Sequence, residues 1–153
     1  MEYVPVIQLK QEVVSTLGVE CKAMTSTSAV AEFAREYIGD NDRETLIVIG
    51  INTKASVNFI SVVSVGSLNA TIATPREIFK TAMIRNCSRI VLAHNHPSYD
   101  VAPSQADIEF TRRIEKSGDL VGIELLDHVI VSPTDHYSFL AEGLLNHGGM
   151  LNG

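Results

Sequence analysis

The sequence predicts an α/β fold in which helices flank one mixed β-sheet. Two observations carry that prediction. Stripes of apolar residues at helical spacing interleave along the chain with short runs rich in Val, Ile and Leu, the pattern of helices layered on a sheet. Two of those runs, Thr45–Ile51 and Val57–Val65, are joined by Asn52–Ser56, a hairpin connection, so the sheet is expected to be mixed and not purely parallel. The balance of 45% hydrophobic and 20% charged residues is that of a chain that folds, and 153 residues suffice for one buried core. No repeat, low-complexity tract or composition break divides it. A single domain over residues 1–145 with a tail over 146–153 is the expected organisation.

The elements follow in chain order. Val4–Leu9 alternates weakly and is expected as an edge strand. Val30, Phe33, Ala34, Tyr37 and Ile38 fall on one helical face, which predicts a helix over Ser28–Ile38 with Ser28 as N-cap and Gly39 as its stop. Asp40-Asn41-Asp42 makes a turn. Thr45–Ile51 is almost unbroken in its apolar character, as in a strand covered on both faces, and Val57–Val65 is a second strand. Thr74-Pro75-Arg76-Glu77 reads as a capping box with Pro at the first helical position, opening a helix whose stripe is Ile78, Phe79, Ala82 and Met83. Ser88–Ala93 is a third strand, and a polar loop runs from Asn95 to Pro103. Ser104 opens a helix to about Ser117 with Gly118 as C-cap, and Val121–Val131 is a fourth strand. Tyr137–Leu145 fits either a strand or a helix. The Gly-rich tail Asn146–Gly153 is expected to be loose.

Charge and cysteine content narrow the function classes. Lys+Arg total 12 against 18 Asp+Glu, a net charge of -6, which argues against unaided binding of a phosphate backbone while leaving a local basic patch open. Cys21 and Cys87 make no disulfide framework, so a reducing compartment is the default. The N-terminus lacks a basic region followed by an apolar stretch, and runs such as Leu46–Ile51 fall far short of the roughly 20 residues a membrane helix needs. A cytoplasmic protein with no membrane partner is the expectation.

The informative segment runs from His94 to Asp107. His94 and His96 sit two apart at the end of a strand, so their imidazoles point to one face and can grip a single ion. Pro97 ends the strand. Asp107 falls in the first turn of the next helix and becomes a third ligand if that helix folds back over the strand end. Two His and one carboxylate, with a fourth position left to water, is the ligand set of a catalytic zinc ion, which brings the pKa of bound water down to about 7. Iron or manganese accepts similar ligands. Taken separately, each part has a plain alternative: histidines near strand ends are common, and Ser104-x-x-Asp107 is an adequate helix cap without any metal. Those alternatives do not explain why the parts occur together.

His94-x-His96, seven residues, then Ser104-x-x-Asp107 resembles the JAMM motif of MPN-domain metalloproteases position for position. The wider text is similar to the bacterial RadC (UPF0758-like) family in Val65-Gly66-Ser67-Leu68-Asn69-Ala70, Pro75-Arg76-Glu77-Ile78-Phe79-Lys80, Ala93-His94-Asn95-His96-Pro97-Ser98 and Gly122-Ile123-Glu124-Leu125-Leu126-Asp127-His128, within a similarity running from about Val4 to Leu145. The resemblance implies a three-layer MPN (JAB1/cytidine-deaminase-like) domain holding one zinc ion. It also implies a glutamate base at the start of a strand, for which Glu44, ahead of Thr45–Gly50, is favoured over Glu77. The implied reaction is hydrolysis of a peptide or isopeptide bond: Glu44 deprotonates the water, Ser104 hydrogen-bonds the developing oxyanion, and the proton passes to the leaving amine. The substrate would be a protein or peptide.

Three departures stand out. The helix-hairpin-helix segment usual in full-length RadC proteins, where DNA contact is expected, has no room in these 153 residues. Thr74 stands where the family usually has His, and Tyr99 replaces a usual Gly beside the metal, which narrows access. The family's DNA-repair name offers an alternative, a non-catalytic or DNA-linked accessory module, which the acidic balance does not favour. A cytidine-deaminase-like zinc site fails for want of a Pro-Cys-x-x-Cys pair. Asp127-His128 reads equally as support for the ligands or as an ordinary strand pair. His136 and His147 are expected to be solvated, Cys87 to be packed, Cys21 to be unactivated, and Gly148-Gly149 to be a flexible terminus. An exposed edge strand near Val4 or Val57 would allow pairing between copies, so an oligomer is open.

Overall fold

The computed structural model describes residues 1–18, 23–66 and 73–146. Cys21, Ser67–Ala70, His147 and Gly148-Gly149 lie outside the described residues. Among the described residues, three helices and five strands follow in the order α1 (Thr27–Ile38), β1 (Thr45–Ile51), β2 (Val57–Val65), α2 (Pro75–Ile84), β3 (Arg89–Asn95), α3 (Gln105–Val121), β4 (Glu124–Val131) and β5 (His136–Ser138). The strands form one sheet in the order β2-β1-β3-β4-β5. Only the β3–β4 pair is parallel, with α3 as its crossover; β1–β2, β1–β3 and β4–β5 are antiparallel. The expected mixed α/β sheet is the one observed.

Alternation in the strands divides the core in two. Leu46, Val48, Ile90 and Leu92 face α2 and α3 and pack with Phe79, Phe110 and Ile114. Ile47, Ile49, Ile51, Val91 and Ala93 face the other way and pack with Val30, Phe33, Ala34 and Ile38 of α1. β1 is buried along its whole length, as its unbroken apolar run requires. The three layers are therefore α1, the sheet, and the α2–α3 pair.

Several boundaries differ from those read in the sequence. Val4–Leu9 is not a strand: those residues have no regular structure and their apolar side chains are exposed. Pro5 removes a donor from so short a run. α1 is capped by Ser26, whose Oγ accepts from Ala29 N at 3.2 Å, and not by Ser28. Thr74 does cap α2, at 3.5 Å from Glu77 N, but the Glu77 carboxylate pairs with Lys80 at 2.6 Å instead of returning to the cap. β3 extends to Asn95 and so takes in His94.

α3 runs past Gly118 to Val121, and the left-handed cap is Gly122 at φ 77°. Gly118 serves close approach instead: a Cβ there would stand 2.3 Å from the Ile123 carbonyl oxygen. β4 begins at Glu124, because residues up to Val121 belong to α3. Tyr137–Leu145 resolves into the short β5, which ends at Ser138, followed by turns. Among the described residues, no helix is long and apolar enough to cross a membrane.

Candidate metal centre

The parallel pair β3–β4 ends beneath the N-terminus of α3, the position where open α/β sheets gather ligands. His94 lies on the α3 side of β3, beyond Ile90 and Leu92 on the same face. His96 follows one residue after the strand, where its backbone N–H still reaches the Val131 carbonyl at 3.0 Å. α3 begins at a reciprocal capping box: Ser104 Oγ accepts from Asp107 N at 3.0 Å, and Asp107 Oδ2 accepts from Ser104 N at 2.9 Å. The cap thus exists as the sequence suggested, and it also aims the carboxylate. Ser104 Oγ is an acceptor in that cap, so its own proton is not committed there.

The geometry brings Glu44, His94, His96 and Asp107 together. One ligand atom each of Glu44, His94, His96 and Asp107 lies within 4.8 Å of the others. His94 Nε2 is 3.0 Å from His96 Nε2, 3.5 Å from Asp107 Oδ1 and 3.8 Å from Glu44 Oε1, and His96 Nε2 is 3.4 Å from Asp107 Oδ2. Zinc bonds of about 2.0–2.2 Å in a tetrahedron separate ligand atoms by about 3.3–3.6 Å. The two His–Asp distances, each to a different Asp107 oxygen, are close to that edge length and the His94–His96 distance of 3.0 Å is shorter; the donor chemistry, two imidazole nitrogens and a carboxylate oxygen, is that of a transition-metal site. The residues present fit a metal ion.

Electrostatics agree. Burial alone would raise the Asp107 carboxyl, but His94, His96 and the Ser104 N–H outweigh it and hold the group far below the usual carboxylate range. The hydrogen bond to Asp107 raises His96 against the opposing effect of its partial burial, with further help from the Asp100 carbonyl.

Two supporting residues escaped the sequence reading. Asn95 points away from its histidine neighbours, to the opposite face of β3, and is fully buried. Its Oδ1 accepts from Thr45 N at 2.7 Å, and its Nδ2 donates to the Asn41 and Arg43 carbonyls at 3.0 Å each. It clamps the segment that carries Glu44, whose own carbonyl accepts from Gly66 N at 2.7 Å. Thr111, fully buried one turn along α3 from Asp107, donates to the Asp107 carbonyl at 2.7 Å and contacts His128 Nδ1 at 2.6 Å. The alternation of His-Asn-His was the only signal for Asn95; the i, i+4 spacing from Asp107 was the only one for Thr111.

The Asp127-His128 pair splits. His128 Nε2 lies 2.7 Å from His94 Nδ1, whereas the Asp127 carboxylate accepts from Ser138 Oγ and Leu140 N and ties β4 to the β5 region. Burial, with the nearby His94, pushes the His128 imidazole well below its ordinary value. Tyr99 takes a left-handed φ of 68°, a conformation that glycine adopts more readily than a residue with a Cβ. Cys87 is buried as expected, and burial raises its thiol; His136 is exposed.

Residues 24–144 match the family model described as the RadC-like JAB domain. A UPF0758 protein of Desulfitobacterium hafniense is 40% identical over 91% of this chain and 61% of its own length. One from Syntrophomonas wolfei is 43% identical over 76% of this chain and 50% of its own, and one from Finegoldia magna 44% identical over 76% and 55%. The chain therefore spans between half and two thirds of the length of these curated relatives.

Proposed function

The chain belongs to the RadC-like JAB domain family, and on that premise we propose that it is a zinc-dependent hydrolase of peptide or isopeptide bonds. His94, His96 and Asp107 are the ligands in this reading. The observation that carries it is the convergence of their ligand atoms, with that of Glu44, within 4.8 Å from three separate parts of the chain. When bound, the ion supplies a water acidified toward neutrality and polarises the scissile carbonyl.

The chain's own residues do the rest. Glu44, partly exposed at 3.8 Å from His94 Nε2, accepts a proton from the attacking water. Ser104, its lone pair committed to Asp107 N, donates its hydroxyl proton to the developing oxyanion. Glu44 then delivers the proton to the leaving nitrogen as the C–N bond breaks, giving a carboxylic acid and an amine and regenerating the carboxylate.

The test compares wild-type and Glu44→Gln chains, both loaded with zinc, on a panel of peptide and isopeptide substrates. The expected result is cleavage by wild type, and a loss of about 10²–10⁴-fold in the variant at unchanged zinc content. A variant that cleaves as well as wild type removes Glu44 as the base. A folded, zinc-loaded wild type that cleaves nothing on the panel favours the accessory-module alternative.

A further inference from the structure

A buried polar chain leads away from the metal centre: His94 to His128 to Thr111, and back to the main chain of Asp107. We propose that Thr111 and His128 are positioning residues that fix the tautomer of His94, so that its Nε2 faces the site as a bare lone pair. The proposal rests on the metal-site reading above.

The protons can be placed from the acceptors. The Asp107 carbonyl can only accept, so the single hydroxyl proton of Thr111 goes to it, at 2.7 Å. Thr111 Oγ1 must then accept from His128 Nδ1 at 2.6 Å. The His128 ring is fully buried, stacked on Phe139 at 4.8 Å and set edge-on to Phe110 at 6.2 Å, a setting for a neutral imidazole with a single N–H. Its Nε2 therefore accepts, and His94 Nδ1 donates to it at 2.7 Å. The His94 Nε2 lone pair is left toward His96 and Asp107. His96 Nδ1 lies 2.8 Å from the Asp100 carbonyl, which can only accept, so that nitrogen is a donor.

The fold makes a specific provision for this contact. Along β3–β4, Ile90 pairs with Leu125 but Val91 pairs with Asp127, so Leu126 is an extra residue in β4. Simple alternation from Leu125, which faces α2 and α3, would turn His128 to the α1 side. The bulge resets the alternation, sets His128 opposite Leu92 and aims its ring at His94. Because Thr111 closes the chain on Asp107, the helix that carries the carboxylate ligand also governs the protonation of the imidazole ligand.

The test is nitrogen-detected NMR of the histidine rings in the metal-free chain at about pH 8, where ordinary histidines are neutral, followed by zinc titration. His94 is expected as the Nδ1–H tautomer. Thr111→Val is expected to abolish that preference and to weaken zinc binding roughly 10–100-fold, while Thr111→Ser, which keeps the hydroxyl, restores both. The wild-type spectrum is decisive without any variant: His94 protonated at Nε2 overturns the proposal. So does a folded Thr111→Val chain with unchanged tautomer and affinity. A wild type that shows the Nδ1–H tautomer yet binds no zinc would refute the metal reading and leave the tautomer assignment standing, so the two failures are distinguishable.

Discussion

At the scale of single residues, the site depends on side chains that never face the ion. Asn95 sits between two proposed ligands and points the other way, where it satisfies one N–H and two carbonyls of the segment holding Glu44. An Asn95→Leu substitution keeps the approximate volume and leaves those groups unpaired in a buried place. It should cost about 1–3 kcal/mol of stability, measured by urea unfolding, and should lower turnover more than zinc affinity because the base moves and the ligands do not. Equal losses in both would mean that Asn95 merely supports the fold. The His94, His96, Ser104 and Asp107 set was legible in the sequence because its spacing on a strand end and a helix start is a local property. The partners of Asn95 lie about fifty residues away, and those of Thr111 include His128 on β4, so neither was legible without the sheet register.

At the scale of elements, the sequence identified the helices and long strands and misplaced several ends. Gly118 and Gly122 both lie near the end of α3, and composition cannot tell a glycine needed for a left-handed cap from one needed for close packing; only the approach of Ile123 separates them. Ser26 and Ser28 present the same ambiguity at α1. The loop from β3 to α3 carries a residual strain at Tyr99, whose φ is 68° and whose side chain is exposed. Tyr99→Gly should relieve about 1–2 kcal/mol of left-handed strain, partly offset by the greater freedom of the unfolded chain. The expected outcome is a modest gain in thermal midpoint with the zinc affinity retained. A fall in stability would show that the tyrosine ring makes contacts that outweigh its backbone.

At the scale of the whole molecule, the acidic balance and the site meet in the pH response of the metal-free protein. Asp107 is depressed by its histidine partners, so its contribution is present above its unfolded value near 3.8 and is lost as pH falls through the folded value. His96 is raised, so its contribution is full below its unfolded value of 6.5 and is lost as pH rises through the folded value. The windows overlap between those two unfolded values. The stability gap between wild type and Asp107→Asn, both metal-free, should be widest there and narrow on the alkaline side; a gap flat from about pH 5 to 9 would contradict the coupling. The layered α/β architecture was legible as a whole because helices and strands alternate in the text. The failure of Val4–Leu9 as a strand was not, since six residues carry no information about whether a neighbouring edge will receive them.

In the proposed site, His94, His96 and Asp107 hold one zinc ion between the end of β3 and the start of α3. Crystals of the zinc-loaded chain, with anomalous diffraction measured on both sides of the zinc edge, test it most directly. One zinc-specific peak is expected about 2.0–2.2 Å from His94 Nε2, His96 Nε2 and an Asp107 carboxylate oxygen. Clear density for these side chains with no peak between them, or a peak held by other residues, would contradict it.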